Sequence, residues 1–223
     1  MHIENYTYKR KMKTVAHLLA EKLLKINAIK LQPANPFVWA SGWNSPIYTD
    51  NRLTLSYPEV RTFIKTELTR VIMETYPEAE AIAGVATGAI AQGALVADTL
   101  NLPYAYIRST PKDHGLENLI EGDLRMGQKV VIIEDLVSTG KSSLKAVEAV
   151  RKAGCEVIGM VALFTYGFPV AEANFEKAGV QLSTLSNYNA LLEAALETNY
   201  ITPAYIKTLE QWRTDPANWT PSR

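Results

Sequence analysis

Glu134 and Asp135 are adjacent carboxylates, and two residues later the chain runs Ser138-Thr139-Gly140-Lys141-Ser142. Before them, Val130-Val131-Ile132-Ile133 is a β-branched apolar run that predicts a strand buried on both faces. After them, 144–150 has helical spacing. The carboxylates therefore belong at the carboxyl end of a central strand, with a small-residue loop leading into a helix N-terminus. Free backbone N–H groups and the positive end of a helix dipole favour an anion there. Gly140 lets backbone approach a phosphate, and the hydroxyls of Ser138, Thr139 and Ser142 add donors. Carboxylates repel phosphate but accept hydrogen bonds from vicinal hydroxyls. The stretch suits a sugar phosphate, with hydroxyls on Glu134 and Asp135 and phosphate on residues 137–142. Gly140-Lys141-Ser142 imitates the end of a nucleotide triphosphate loop, but that motif needs glycine where Asp135 stands. The bland alternative is an acidic strand end before a capped helix, which leaves buried tandem carboxylates at a cost.

The surrounding chain must hold these groups in place. Its 223 residues and 24.7 kDa fit one domain of ordinary size, and 47% apolar residues supply a core. Zero formal net charge gives no reason to expect a nucleic-acid or membrane surface. The single Cys155 excludes an internal disulfide, fits a reducing compartment and reads as core because it opens an apolar strand. With no apolar run of spanning length and no signal-peptide core, a cytoplasmic protein is expected.

Residues 1–11 lack a clear period and read as a disordered tail. Val15, Leu18, Leu19, Leu23 and Leu24 predict a helix to about Ile26. From about 33 to 57 the character changes: Phe37 to Arg52 reads as two short strands around a Ser-Gly turn. That segment is either a surface hairpin or a hood over a flat ligand, with Tyr48 near a ring. Arg52 is either the nearest cation for an acidic base or a surface arginine. An amphipathic helix follows from Pro58 to Met73. Ala81 to Ile90 reads as strand and small-residue loop, then helix to Leu100. Its Gly84 and Gly88 either pass close to a diphosphate or serve tight strand–helix packing. Strands at 104–107 and 157–164 complete the alternation. The fold class predicted is α/β, a central parallel sheet flanked by helices, with the small N-terminal hood and C-terminal packing helices over 189–223. Ligands of such sheets lie beyond the carboxyl ends of the strands, where residues 86–88 and 134–142 both fall.

Between two strands, residues 108–122 are too long and polar for a tight connection and read as a lid. Arg108, Lys112 and His114 concentrate positive charge there. Such a lid suits a diphosphate leaving group, bringing cations and then excluding water. A solvated mixed-charge loop is the alternative.

An apolar run, an acidic pair, two residues and Ser-Thr-Gly-x-Ser together resemble the signature of type I phosphoribosyltransferases, which use 5-phosphoribosyl diphosphate (PRPP). The pattern Arg108-x-x-x-Lys112-Asp113-His114-Gly115 resembles that of the orotate phosphoribosyltransferases, as does the Trp39 to Arg52 segment. The resemblance runs from about Lys13 to Trp219. It implies that Glu134, Asp135, Leu136, Val137, Ser138, Thr139, Gly140, Lys141 and Ser142 bind PRPP, the acidic pair taking the ribose hydroxyls and the loop the 5′-phosphate. Arg108, Lys112 and His114 would contact PRPP across a homodimer interface. Lys112, His114 and Asp135 would be catalytic, and Ser138, Tyr48 and Arg52 would meet orotate. Mg²⁺ would be held mainly through PRPP and water rather than by protein ligands. Asn44 stands where many relatives carry lysine, Ser109 where some carry a second lysine, and no arginine follows Phe164-Thr165-Tyr166-Gly167, where some relatives bind the orotate carboxylate. That carboxylate would then rely on backbone amides, Ser138 or Arg52. The implied reaction makes orotidine 5′-monophosphate in pyrimidine synthesis. A transferase for another base and a non-catalytic PRPP-sensing regulator are the alternatives.

Overall fold

The computed structural model describes residues 13–39, 42–110 and 119–221. Helix α1 (Val15–Lys25) opens at Thr14, whose hydroxyl accepts from the His17 N–H at 3.2 Å. Just past its C-cap, Ile26, Asn27 turns the chain in the left-handed region at φ 57°. Next come β1 (Ile29–Leu31), β2 (Phe37–Val38), β3 (Asn44–Ser45) and β4 (Ile47–Thr49). β2 pairs antiparallel with β3, as the expected two-strand turn. β4 instead returns to β1. Pro46 separates β3 from β4, and the Ser45 hydroxyl both accepts from the Ile47 N–H and donates to its carbonyl. A 3-10 turn at 51–56 leads to α2 (Pro58–Thr75), which starts on proline and buries Val60, Ile64, Leu68 and Ile72 at helical spacing.

The rest alternates, and β7, α5 and β10 are additions to the elements expected: β5 (Ala81–Val85), α3 (Ile90–Leu100), β6 (Tyr104–Ile107), β7 (Ile120–Glu121), β8 (Lys129–Val137), α4 (Lys141–Lys152), β9 (Glu156–Thr165), α5 (Pro169–Ala178), β10 (Leu182–Asn187), α6 (Tyr188–Glu197) and α7 (Ile206–Thr214). Six of these strands form one sheet in the order β10-β9-β8-β5-β6-β7. Five are parallel, and the departure is β7, which pairs antiparallel with β6 at the edge. Two residues suffice there because β7 only returns the chain toward β8.

The chain runs from β5 outward to β6, then crosses back to β8 on the other side of β5. The strand order therefore reverses between β5 and β8, the crevice in which open α/β sheets bind ligands. Along β8 the side chains alternate. Val131 and Ile133 join a core with α1, α2 and α6, while Val130 and Ile132 join one with α4 and α5. That alternation sends Glu134 toward α4 and Asp135 toward the opposite face. At the carboxyl end of β9, Tyr166 and Phe168 pack against Trp212 of α7, with ring centroids 5.6 and 5.5 Å away. Trp39, before the β2–β3 turn, reaches the same indole at 5.6 Å. Trp212 of α7 thus packs against the segment expected to form the hood. None of the described helices is long and apolar enough to cross a membrane.

Candidate active site

At the end of β8 the two carboxylates have different surroundings. Glu134 is 4% exposed. One of its oxygens accepts from the Ser143 hydroxyl of α4 at 2.8 Å and the other from the Asp135 N–H at 3.0 Å. Burial, then the neighbouring Asp135 charge, push Glu134 up to about 8, so it is largely protonated at neutral pH. Burial also raises Asp135, opposed by its bond to Glu134, by the Asp135 and Leu136 amides and by the Arg52 charge. Adjacent like charges in a dry site do not both ionise, and Asp135 is the one beside a cation. The Asp135 carboxylate lies directly against Gly88 in the loop after β5: a Cβ built there would overlap it. Gly84 has the other use open to it in the sequence, because its Cβ would come within 2.7 Å of the Ala89 carbonyl in the strand–helix packing.

Past Asp135, Gly140 adopts φ 78°, and a Cβ there would meet the Phe175 ring at 2.9 Å. It caps α4 without a side-chain hydrogen bond, and Leu144 makes a helical bond to its carbonyl at 2.9 Å. The amides before Leu144 thus point off the helix end beside the hydroxyls of Ser138, Thr139 and Ser142. Asn174 of α5 fixes the loop by donating to the Thr139 carbonyl at 3.0 Å. Leu136 and Val137 finish the strand, with Val137 in the core on the α4 side. Lys141 and Ser142 are exposed.

On the other side, Asn51 begins the 3-10 turn after β4. Its side-chain amide donates to the Asp135 carbonyl at 2.6 Å, tying the hood segment to the strand end. The Thr54 hydroxyl binds the Asn51 carbonyl at 2.6 Å and receives the Gln92 amide of α3 at 3.3 Å. Asn51, Thr54 and Gln92 are all buried. Arg52 is held by Asp50 through two bonds of 2.7 and 3.0 Å, yet its charge still acts on Asp135. Tyr48 is exposed and packs on Phe37 with centroids 5.5 Å apart. Tyr166 is buried and donates to Thr49 at 3.0 Å, which joins β9 to the same segment.

Arg108 follows β6, where its backbone N–H donates to Leu119 at 2.8 Å and its guanidinium approaches Glu121 at 3.4 Å. Lys112 and His114 lie outside the described residues. A cavity of about 690 Å³ lies on the α4 side, lined by Arg108, Ser109, Thr139, Lys141, Ser142 and Lys145 among others. It joins the root of the predicted lid to the loop at the start of α4. Asp135 faces the crevice on the opposite side of the strand end, beside Gly88 and Asn51. Asn51, Ser143, Gln92 and Asn174 were not singled out in the sequence. Each is a short polar residue inside an element or turn, and only tertiary contact gives it a role.

The chain matches the model of the phosphoribosyl transferase domain family over residues 64–181. An orotate phosphoribosyltransferase of Bacteroides thetaiotaomicron is 69% identical over 208 residues, 93% of this chain and 98% of the relative. One from Streptococcus pneumoniae is 53% identical over 206 residues, 92% of this chain and 98% of the relative. Among solved structures, orotate phosphoribosyltransferase from Aeropyrum pernix superposes with a TM-score of 0.72 at 29% identity, covering 82% of this chain and 99% of that one. The identity extends beyond the sheet and its loops to the hood segment and most of the C-terminal helices, and on that extent the chain belongs to the orotate phosphoribosyltransferases of the phosphoribosyl transferase domain family.

Proposed function

We propose that this chain transfers the phosphoribosyl group of PRPP to orotate, giving orotidine 5′-monophosphate and diphosphate in pyrimidine synthesis. The observation that carries this is the Asp135 carboxylate, set against Gly88 at the strand-order reversal and directly before the 138–142 loop. Asp135 accepts hydrogen bonds from the ribose hydroxyls. Leu136 to Ser142 take the 5′-phosphate, through the amides at the head of α4 and the hydroxyls of Ser138, Thr139 and Ser142. Glu134 contributes from below: through Ser143 it fixes the first turn of α4, and hence the phosphate amides, relative to Asp135.

In the reaction a ring nitrogen of orotate gives up its proton to water or the leaving diphosphate and bonds to the anomeric carbon as the bond from that carbon to diphosphate breaks. The electron pair leaves with diphosphate, and positive charge develops on the ribose. Asp135 stabilises that charge through the hydroxyls it holds. Arg108, Lys112 and His114 meet the leaving diphosphate, as donors of charge or of a proton. Tyr48, Arg52 and Ser138 receive orotate beneath the hood at about 33–57. The donor set suits Mg²⁺ bound chiefly through PRPP oxygens and water, since both oxygens of Glu134 already have partners and Asp135 remains to face a ligand. When bound, such an ion would supply charge neutralisation on the diphosphate. A cytoplasmic homodimer with lids shared between sites completes the proposal, and a buried free Cys155 fits a reducing compartment.

The test is product formation from PRPP and Mg²⁺ with orotate and with a panel of other pyrimidines and purines. Orotate should be consumed and yield orotidine 5′-monophosphate. Turnover of another base in preference to orotate would overturn the substrate, and no turnover of any base would leave a PRPP-sensing protein. For the shared site, Lys112→Ala and Asp135→Asn subunits, each inactive alone, are refolded together. About a quarter of wild-type activity should return, because half the dimers are mixed and each has one intact site. A mixture that stays inactive after exchange is shown by mass would place both residues in one subunit's site.

A further inference from the structure

Outside this site, α1 and the end of α6 bring His17, Glu21 and Glu197 together. His17 and Glu21 are one turn apart on α1, and Glu197 is the last residue of α6. His17 Nε2 lies 3.1 Å from Glu197 Oε2 and 3.5 Å from Glu21 Oε1. The residue is 6% exposed, and its Nε2 is buried without a hydrogen bond among the described residues. One donor atom from each of the three lies within 4.8 Å of the others. A cation already sits between the carboxylates: the Lys13 ammonium pairs with Glu21 and lies 3.3 Å from Glu197.

We propose that His17, Glu21 and Glu197 form a binding site for a divalent transition-metal ion of the Zn²⁺ class, with water as the fourth ligand. Ligands about 2.0–2.2 Å from a tetrahedral ion stand about 3.3–3.6 Å from one another, and the imidazole–carboxylate separations of 3.1 and 3.5 Å lie close to that spacing. A nitrogen donor with two carboxylates selects Zn²⁺ over Mg²⁺ or Ca²⁺, which prefer oxygen alone. Two carboxylates and a neutral imidazole match a double positive charge better than the single charge of Lys13, which is the occupant the ion displaces. Entry is open, because the Glu197 side chain is 56% exposed. The bound ion would pin α1 to α6.

The test uses the full chain without a histidine tag, titrated with Zn²⁺ by calorimetry and with Co²⁺ by visible absorption. One equivalent should bind, and Co²⁺ should give the intense bands of a four-coordinate ion. Glu197→Gln, at an exposed position, should fold normally and weaken binding at least tenfold. His17→Gln should do the same if it folds. Lys13→Ala should tighten binding several-fold by removing the competing ammonium. Zn²⁺ should raise the melting temperature of wild type and not of Glu197→Gln. No binding by wild type, or binding indifferent to Glu197→Gln, would overturn the site, and unchanged affinity in Lys13→Ala would overturn the displacement.

Discussion

The Asp135 carboxylate fills the space that a side chain at Gly88 would need. A residue of the loop after β5 thereby sets the position of a group on β8, across the point where the strand order reverses. Gly88→Ala should force Asp135 aside while the sheet stays intact. Each charge-assisted bond to a ribose hydroxyl is worth about 1.5–3 kcal/mol, so turnover should fall about ten- to a hundredfold. Steady-state kinetics with a melting curve checks this, and wild-type kinetics in the variant would detach Gly88 from the site.

Asn51 bears on the same residue from the hood side. Its amide bond to the Asp135 carbonyl is 2.6 Å long, and the Asn51 side-chain carbonyl is buried without a partner among the described residues. Asn51→Ala should strand the Asp135 carbonyl, at a cost of about 1–3 kcal/mol in chemical unfolding. Turnover should fall with it, because the strand end loses its tie to the hood segment. A loss of stability with unchanged turnover would make Asn51 a packing residue only.

Glu134 gives stability a defined pH dependence. Its pKa in the fold is raised to about 8, above its ordinary value of 4.5. A raised pKa contributes stability that is fully present below about pH 4.5 and is lost as pH rises through about 8. Glu134→Gln keeps the shape and cannot ionise. Its melting temperature relative to wild type should therefore climb from pH 5 to pH 8 and level off above. A difference that is constant with pH, or that shrinks, would mean that Glu134 is ionised in the fold.

Much of this was legible in the sequence. The β-branched run of β8, the acidic pair and the small-residue loop are local features, and strand, loop and helix fall where their spacing puts them. The parallel alternation was legible for the same reason. What lay hidden depends on partners far along the chain. Ile47–Thr49 pairs with β1 rather than within its own hairpin, because residues 28–32 and 46–50 bond to one another. β10 reads as polar because it is the edge strand, and Leu182, Ser183 and Thr184 remain half-exposed. The unequal surroundings of Glu134 and Asp135 follow from strand alternation once the two faces are known, but nothing local says that Ser143 or Gly88 waits on either side.

On the proposed reading Arg52 meets orotate, so its removal should separate base binding from PRPP binding. Asp50 holds its guanidinium through two bonds, an exposed pair that adds little stability. Arg52→Ala should leave the melting temperature within about 1 °C and raise the KM for orotate about tenfold, with a smaller change in the KM for PRPP. Equal rises in both constants would argue that Arg52 supports the site as a whole rather than the base.

The central claim is that the Asp135 carboxylate holds the ribose of PRPP through the transfer. Asp135→Asn removes its charge and little else, so the measurement is orotidine 5′-monophosphate formation by the folded variant at saturating PRPP, orotate and Mg²⁺. Turnover should fall at least a hundredfold, with melting temperature equal to or above that of wild type because a buried carboxylate has been replaced. A folded Asp135→Asn enzyme that turns over at the wild-type rate would contradict the claim.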